Sequence, residues 1–194
     1  MFKRPKVFFI GYNKTATTAL HRLFKESGYT SYHTHKNKER WLGIQMLFNR
    51  TMKVPILETI DDGDVYSDMS YFSEDTCING NEYFRDLYEE YPVAYFIMNL
   101  RDLEDWIQSR TRHPDLVERT MKYMGTKELD VVQQRWRSQR NVHLVQARSY
   151  FLTLPESNYL EFWVDEDPID KLSEFVSDHY DLNLNAWRMY NVTQ

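Results

Sequence analysis

The feature that most constrains the fold lies between residues 7 and 28. Val7-Phe8-Phe9-Ile10 is an unbroken apolar run, β-branched and aromatic, closed by Gly11. A strand with one wet face alternates apolar with polar side chains, so a run without alternation is that of a strand covered on both faces, as in a parallel sheet. From Thr17 the period changes. Leu20, Leu23 and Phe24 fall on one helical face, and Gly28 stands where a C-terminal cap belongs. A buried strand that turns at once into a helix brings several backbone N–H groups and the positive helix end to one point. In the turn itself, Gly11-Tyr12-Asn13-Lys14-Thr15-Ala16-Thr17-Thr18, Lys14 adds a full charge and Thr15, Thr17 and Thr18 add hydroxyls. Such a loop is a cradle for an anion; the residue types alone also fit an ordinary loop with threonine caps and an exposed lysine.

The same alternation continues along the chain. Tyr29 to His33, Val65 to Ser67, Val93 to Met98 and Tyr159 to Val164 read as strands. Helices are expected at Glu82 to Tyr91, from Leu103 (Leu103, Trp106, Ile107 and Arg110 on one face), at Asp115 to Met124 and at Glu128 to Phe151. A last one is expected after Asp167-Pro168, read as N-cap and first helical position. Strands alternating with helices indicate an α/β fold with a parallel sheet. Residues 1–194 read as one domain, and the polar, Trp- and Met-bearing stretch from Lys36 to Asp62 yields no clear element.

Charge narrows the partners. With 24 Lys plus Arg against 29 Asp plus Glu, non-specific attraction to nucleic acid or anionic lipid is not expected. Residues 1–53 carry 11 basic and 2 acidic side chains, whereas residues 54–100 carry 1 and 11. That asymmetry fits a confined positive site for a small anion, or two solvated faces of opposite sign. Cys77 alone can build neither a disulfide framework nor a multi-cysteine zinc site. His33 and His35 would make a metal pair, but no third ligand has the spacing, so no metal is expected. The first residues, Met-Phe-Lys-Arg-Pro-Lys, lack the apolar stretch of a signal peptide, and no apolar run is long enough to span a bilayer. The expectation is cytoplasmic residence; nothing in the pattern specifies an oligomer.

A Walker A loop requires Gly-Lys followed by Ser or Thr, and here Lys14 comes three residues after Gly11 with no Gly-Lys pair. The sequence instead resembles the sulfotransferases that use PAPS (3'-phosphoadenosine 5'-phosphosulfate), whose loop runs approximately G-x-x-[KR]-[ST]-G-T-[ST]. Gly11, Lys14, Thr15, Thr17 and Thr18 match, and Ala16 stands in place of the usual glycine. That family also carries an Arg at the end of a central strand and a Ser eight residues on. Arg101 and Ser109 follow the Val93 to Met98 run at that offset, with Leu103 in place of the usual proline. Two motifs in the right order, each at a strand-to-helix junction, weigh more than either alone. The resemblance extends over most of the chain and is weakest from Lys36 to Cys77.

The resemblance implies a three-layer α/β/α sulfotransferase fold with a central parallel sheet like that of P-loop NTPases. It implies PAPS as sulfuryl donor, adenosine 3',5'-bisphosphate as product, and no metal. The donor would be held by Gly11, Asn13, Lys14, Thr15, Ala16, Thr17 and Thr18 at its 5' end and by Arg101 and Ser109 at its 3'-phosphate. Arg188, within Trp187 to Asn191, is a candidate second phosphate contact, unless that aromatic tail simply packs on the core. Lys14 would stabilise charge on the leaving phosphate. The base acting on a small-molecule or glycan hydroxyl, or an amine, would be Asp68 or His35, with His33 next, and residues 36–77 would bind that acceptor. Two rivals stand beside this reading: a nucleoside- or nucleotide-kinase-like phosphotransferase with a degenerate P-loop, and a non-catalytic nucleotide-binding module.

Overall fold

The structure, a computed structural model, describes residues 4–188. In chain order its elements are β1 (Val7–Phe9), α1 (Thr17–Glu26), β2 (Ser31–His33), β3 (His35–Asn37), β4 (Arg40–Trp41), α2 (Leu42–Met52), β5 (Val65–Ser67), β6 (Ser70–Phe72), β7 (Cys77–Asn79), α3 (Phe84–Glu90), β8 (Tyr95–Leu100), α4 (Leu103–Thr111), α5 (Pro114–Met124), α6 (Leu129–Leu152), β9 (Asn158–Trp163) and α7 (Ile169–Val176). The main sheet has the order β4-β3-β2-β5-β1-β8-β9. Its five strands from β2 to β9 run parallel, and β3 and β4 continue it as an antiparallel edge hairpin.

The apolar run at the start of the chain is explained by its position at the middle of this sheet. Phe8 points to one face, with Tyr66 and Phe96, into a cluster that also holds Leu42 and Met46 of α2, Phe84 and Leu87 of α3, and Phe151 of α6. Val7 and Phe9 point to the other, with Val65, Tyr95 and Ile97, and meet Leu20, Leu23 and Phe24 of α1 and Leu172 and Val176 of α7. Helices cover both faces, giving the three-layer α/β/α arrangement. Each fully buried side chain of this kind contributes about 1.5–3 kcal/mol. A third, smaller cluster of Tyr12, Trp106, Ile107, Leu116, Val132 and Trp136 lies beneath the loop that follows β1.

Three sequence expectations shift. β8 begins at Tyr95 rather than Val93, because Ala94 N–H bonds to Tyr91 O in a turn through Pro92 that leaves Val93 64% exposed. It runs on to Leu100, since its ladder with β9 continues through Asn99↔Phe162 and Leu100↔Trp163. Asp167 does not cap α7; Pro168 occupies that position, and Asp167 Oδ2 instead accepts from Trp163 N–H and Lys171 Nζ, both at 2.7 Å. The stretch from Lys36 to Asp62 holds the β3–β4 hairpin and an 11-residue helix, α2. No helix of the described residues is long and apolar enough to cross a membrane.

Candidate anion-binding site at the sheet switch point

β1 lies between β5 and β8, so the chain leaves it toward one side of the sheet and later returns on the other. A crevice opens at the carboxyl ends of strands where an α/β sheet changes direction in this way. Here it is a cleft of about 550 Å³, lined by Asn13 and Lys14 from the β1–α1 loop and Thr17 and Thr18 from the start of α1, among others. The loop is held from below. Gly11 N–H donates to Asn99 Oδ1 at 2.9 Å, while Asn99 Nδ2 donates to Thr15 O at 3.1 Å and to its hydroxyl. The approach at Gly11 is so close that a Cβ there would stand 2.1 Å from Asn99 O.

Lys14 and Ala16 adopt left-handed backbone conformations, φ 68° and 58°. That is why glycine suits position 16, and why alanine there carries a strain of about 1 kcal/mol. α1 begins without a side-chain cap, so its first-turn amides, which have no intrahelical acceptor, remain to bind an anion. Asn13 is tied twice to the α4 side, through Trp106 Nε1 to its carbonyl at 2.9 Å and Arg110 Nη1 to its Oδ1 at 2.8 Å.

Arg101 and Ser109 line the same cleft as Lys14. The Arg101 guanidinium donates side-on to Asp165 from Nε and Nη2, at 2.6 and 2.7 Å, which leaves its Nη1/Nη2 edge for another planar or tetrahedral anion. Lys14 is half-buried, and its ammonium is held below the ordinary lysine range by burial, then by the charges of Arg101 and Arg110, with Asp68 opposing. A cation disfavoured by neighbouring cations is relieved by an incoming anion. Two side chains one turn apart on α6 fix the ends of the adjacent strands: His143 Nε2 donates to Ile10 O at 2.7 Å, and Arg140 Nη2 to Arg101 O at 2.6 Å.

On the β2–β5 side of the cleft stand His33 and Asp68. His33 Nε2 is 3.2 Å from Thr17 Oγ1 and 3.9 Å from Asp68 Oδ2. Asp68, in a left-handed turn at φ 47°, accepts from Ser70 Oγ at 2.6 Å and Thr34 Oγ1 at 3.2 Å. Burial lowers the His33 pKa, with the Asp68 charge opposing, so the imidazole is neutral at pH 7. Trp41, Tyr71 and Phe72 add aromatic surface to the same cleft.

The residues singled out from the sequence therefore separate. Lys14, Thr17, Thr18, Arg101, Ser109, His33 and Asp68 come together on one cleft, along with Asn13 and Ala16. Gly11 and Thr15 lie beneath, where Thr15 Oγ1 donates to Tyr12 O and shapes the loop. His35 is exposed on β3, its ring 5.6 Å from that of Trp41, and is not among the cleft's lining residues. Arg188 is exposed and also stands apart from them; residues 189–191 lie outside the described residues. No site role was read from the sequence for Asn99, Arg110, Arg140, His143 or Asp165; Asn99, a polar break in the run before Arg101, and Arg110, on the apolar face of α4, left a local signal. Among the described residues no group of three or more His, Cys, Asp or Glu side chains is arranged to hold a metal ion.

Acidification tests the buried and half-buried imidazoles. Burial, and then the His33 charge, bring His21 from the usual 6.5 down to about 4, and burial also lowers His33 and His143. The folded state binds these protons less readily than the unfolded chain, so stability is fully present above about pH 6.5 and is lost as pH falls toward 4. Melting temperature is expected to decline across that window, and His21→Asn to flatten the decline; an unchanged slope in that variant would overturn the assignment.

Comparison with known proteins bears on the family and the fold. A family model described as "Sulfotransferase domain" matches residues 6–181. Among solved structures, the chain is similar to a sulfotransferase from Alicyclobacillus acidocaldarius, with a TM-score of 0.55 and 14% sequence identity over 91% of this chain and 82% of that one. No curated protein matches.

Proposed function

Because the chain belongs to the sulfotransferase family, we propose that its cleft transfers a sulfuryl group from PAPS to a hydroxyl or amine acceptor. The observation that carries this reading is the presence of Lys14 and Arg101, from two different strand-to-helix junctions, on one cleft large enough for a nucleotide. A donor with phosphate at both ends needs two separated cationic seats, and the disfavoured charge of Lys14 fits an anion at the first of them.

In this reading the α1 amides, Thr17 and Thr18 hold the 5' end of the donor, and Arg101 with Ser109 holds the 3'-phosphate. As the sulfuryl group leaves, negative charge builds on the bridging oxygen of the leaving phosphate, and Lys14 stabilises that charge more in the transition state than before it. His33 takes the acceptor's proton, and the Asp68 carboxylate stabilises the resulting imidazolium. The acceptor lies against Trp41, Tyr71 and Phe72, within the segment expected from the sequence to bind it.

Calorimetry without magnesium tests the donor assignment. Adenosine 3',5'-bisphosphate is expected to bind, and Arg101→Ala to weaken it about 10- to 100-fold, the loss of one or two charge-assisted hydrogen bonds. Adenosine 5'-monophosphate, which lacks the 3'-phosphate, should be far less affected. An Arg101→Ala protein with unchanged affinity removes the 3'-phosphate assignment, and binding of ATP only with magnesium favours phosphoryl transfer instead.

A further inference from the structure

Arg110, on α4, is 5% exposed, yet among the described residues no carboxylate stands within ion-pair distance of it, and Asp68 acts on its charge only from further away. Its guanidinium carbon lies 4.8 Å from the ring centre of Trp106 and 4.5 Å from that of Trp136, so the charge is held between two indole faces. Nη1 donates to Asn13 Oδ1, and Nε is buried with no hydrogen-bond partner. A charge withdrawn from water without a counter-ion is a destabilising element, and an apolar residue of similar volume is commonly as stable or more so. Indole faces recover part of that loss but neutralise nothing.

What the charge faces explains its position. Asn13, which it grips, lines the cleft and immediately precedes Lys14. Arg110 does not line the cleft itself; it stands behind the loop, screened from solvent by the third hydrophobic cluster. Its field therefore reaches the cleft through protein rather than water and is weakly screened. We infer that Arg110 is a positioning residue for the anion cradle: a permanent buried cation that fixes the Asn13 side of the loop and biases the adjoining Lys14 seat toward a phosphate group. The inference rests on the reading of the loop as a phosphate seat, not on which nucleotide carries the phosphate. Burial brings Arg110 only down to about 10, so it stays charged at neutral pH. The Lys14 pKa is lowered by burial first, then by Arg101 and then by Arg110, with the Asp68 carboxylate opposing.

The test uses inorganic pyrophosphate as probe, with Arg110→Met as an apolar replacement of similar length and Arg110→Lys as the variant that keeps the charge. Arg110→Met is expected to melt at or above the wild-type temperature while binding pyrophosphate at least about tenfold more weakly, and Arg110→Lys to recover part of the affinity. The alkaline loss of binding that follows Lys14 deprotonation should move to higher pH in Arg110→Met, a readout that a merely structural role would leave in place. The inference falls if Arg110→Met fails to fold or melts lower than wild type, if it binds pyrophosphate like wild type, or if binding weakens without that shift in pH. It falls equally if the wild type binds no pyrophosphate. Wild type that binds pyrophosphate but not adenosine 3',5'-bisphosphate overturns the donor assignment and leaves the role of Arg110 standing.

Discussion

In Lys14→Ala, turnover is expected to fall about 10²- to 10³-fold, the effect of removing one preorganised donor from a developing oxyanion. Affinity for the donor should change less. The bridging oxygen carries little charge in bound PAPS and much more as the sulfuryl group departs, so the interaction is made chiefly in the transition state. Slow hydrolysis of PAPS, with water as acceptor, gives a rate that requires no knowledge of the natural acceptor. Lys14→Arg restores charge but not the compact ammonium, and should recover only part of the rate. A Lys14→Ala protein that hydrolyses the donor at the wild-type rate would remove Lys14 from the mechanism.

Gly11→Ala should have the largest effect on stability. The added methyl would stand 2.1 Å from Asn99 O and 2.6 Å from Asn99 Oδ1, and the first of these atoms is backbone of the central strand β8. Neither side can yield cheaply, because β1 and β8 are hydrogen-bonded neighbours buried on both faces. The shift would also lengthen the Gly11 N–H bond to Asn99 and, through Asn99, loosen Thr15. A loss of about 3–5 kcal/mol follows from overpacking together with a broken buried network. For a chain of this size that is roughly 6–20 °C in melting temperature. A scan showing less than a few degrees would mean that the two strands slide more freely than their packing indicates. Asn99→Ala separates the two components, since it opens the network without overpacking.

The parts of the fold that could be read in advance are those whose side chains meet one environment throughout. Val7 to Ile10 and Val65 to Ser67 declare themselves because both faces are covered, and α1 and α7 because one face is apolar and the other wet. α2 hides for the opposite reason. Leu42 and Met46 are buried, but Ile44, Leu47, Phe48 and Met52 are exposed, so the apolar period that marks a helix is erased. No side chain caps its start either, where Trp41 precedes Leu42. At the site, Lys14, Arg101 and Ser109 were legible as motifs at fixed offsets. Asp165 was not, because its bond to Arg101 joins residues 64 apart in the chain. Arg110 was visible as a residue on the α4 face, but its burial without a carboxylate is a property of three helices packing around it.

The pair of bonds from α6 has a consequence for ligand choice. One helix, through His143 and Arg140, holds the carbonyls at which β1 and β8 release the segments that carry Lys14 and Arg101, so α6 is braced against both junctions at once. A change that tilts α6 would disturb both junctions together rather than either alone. Altering the anion preference proposed for this cleft would therefore begin on α6, whose residues are not among those that line it.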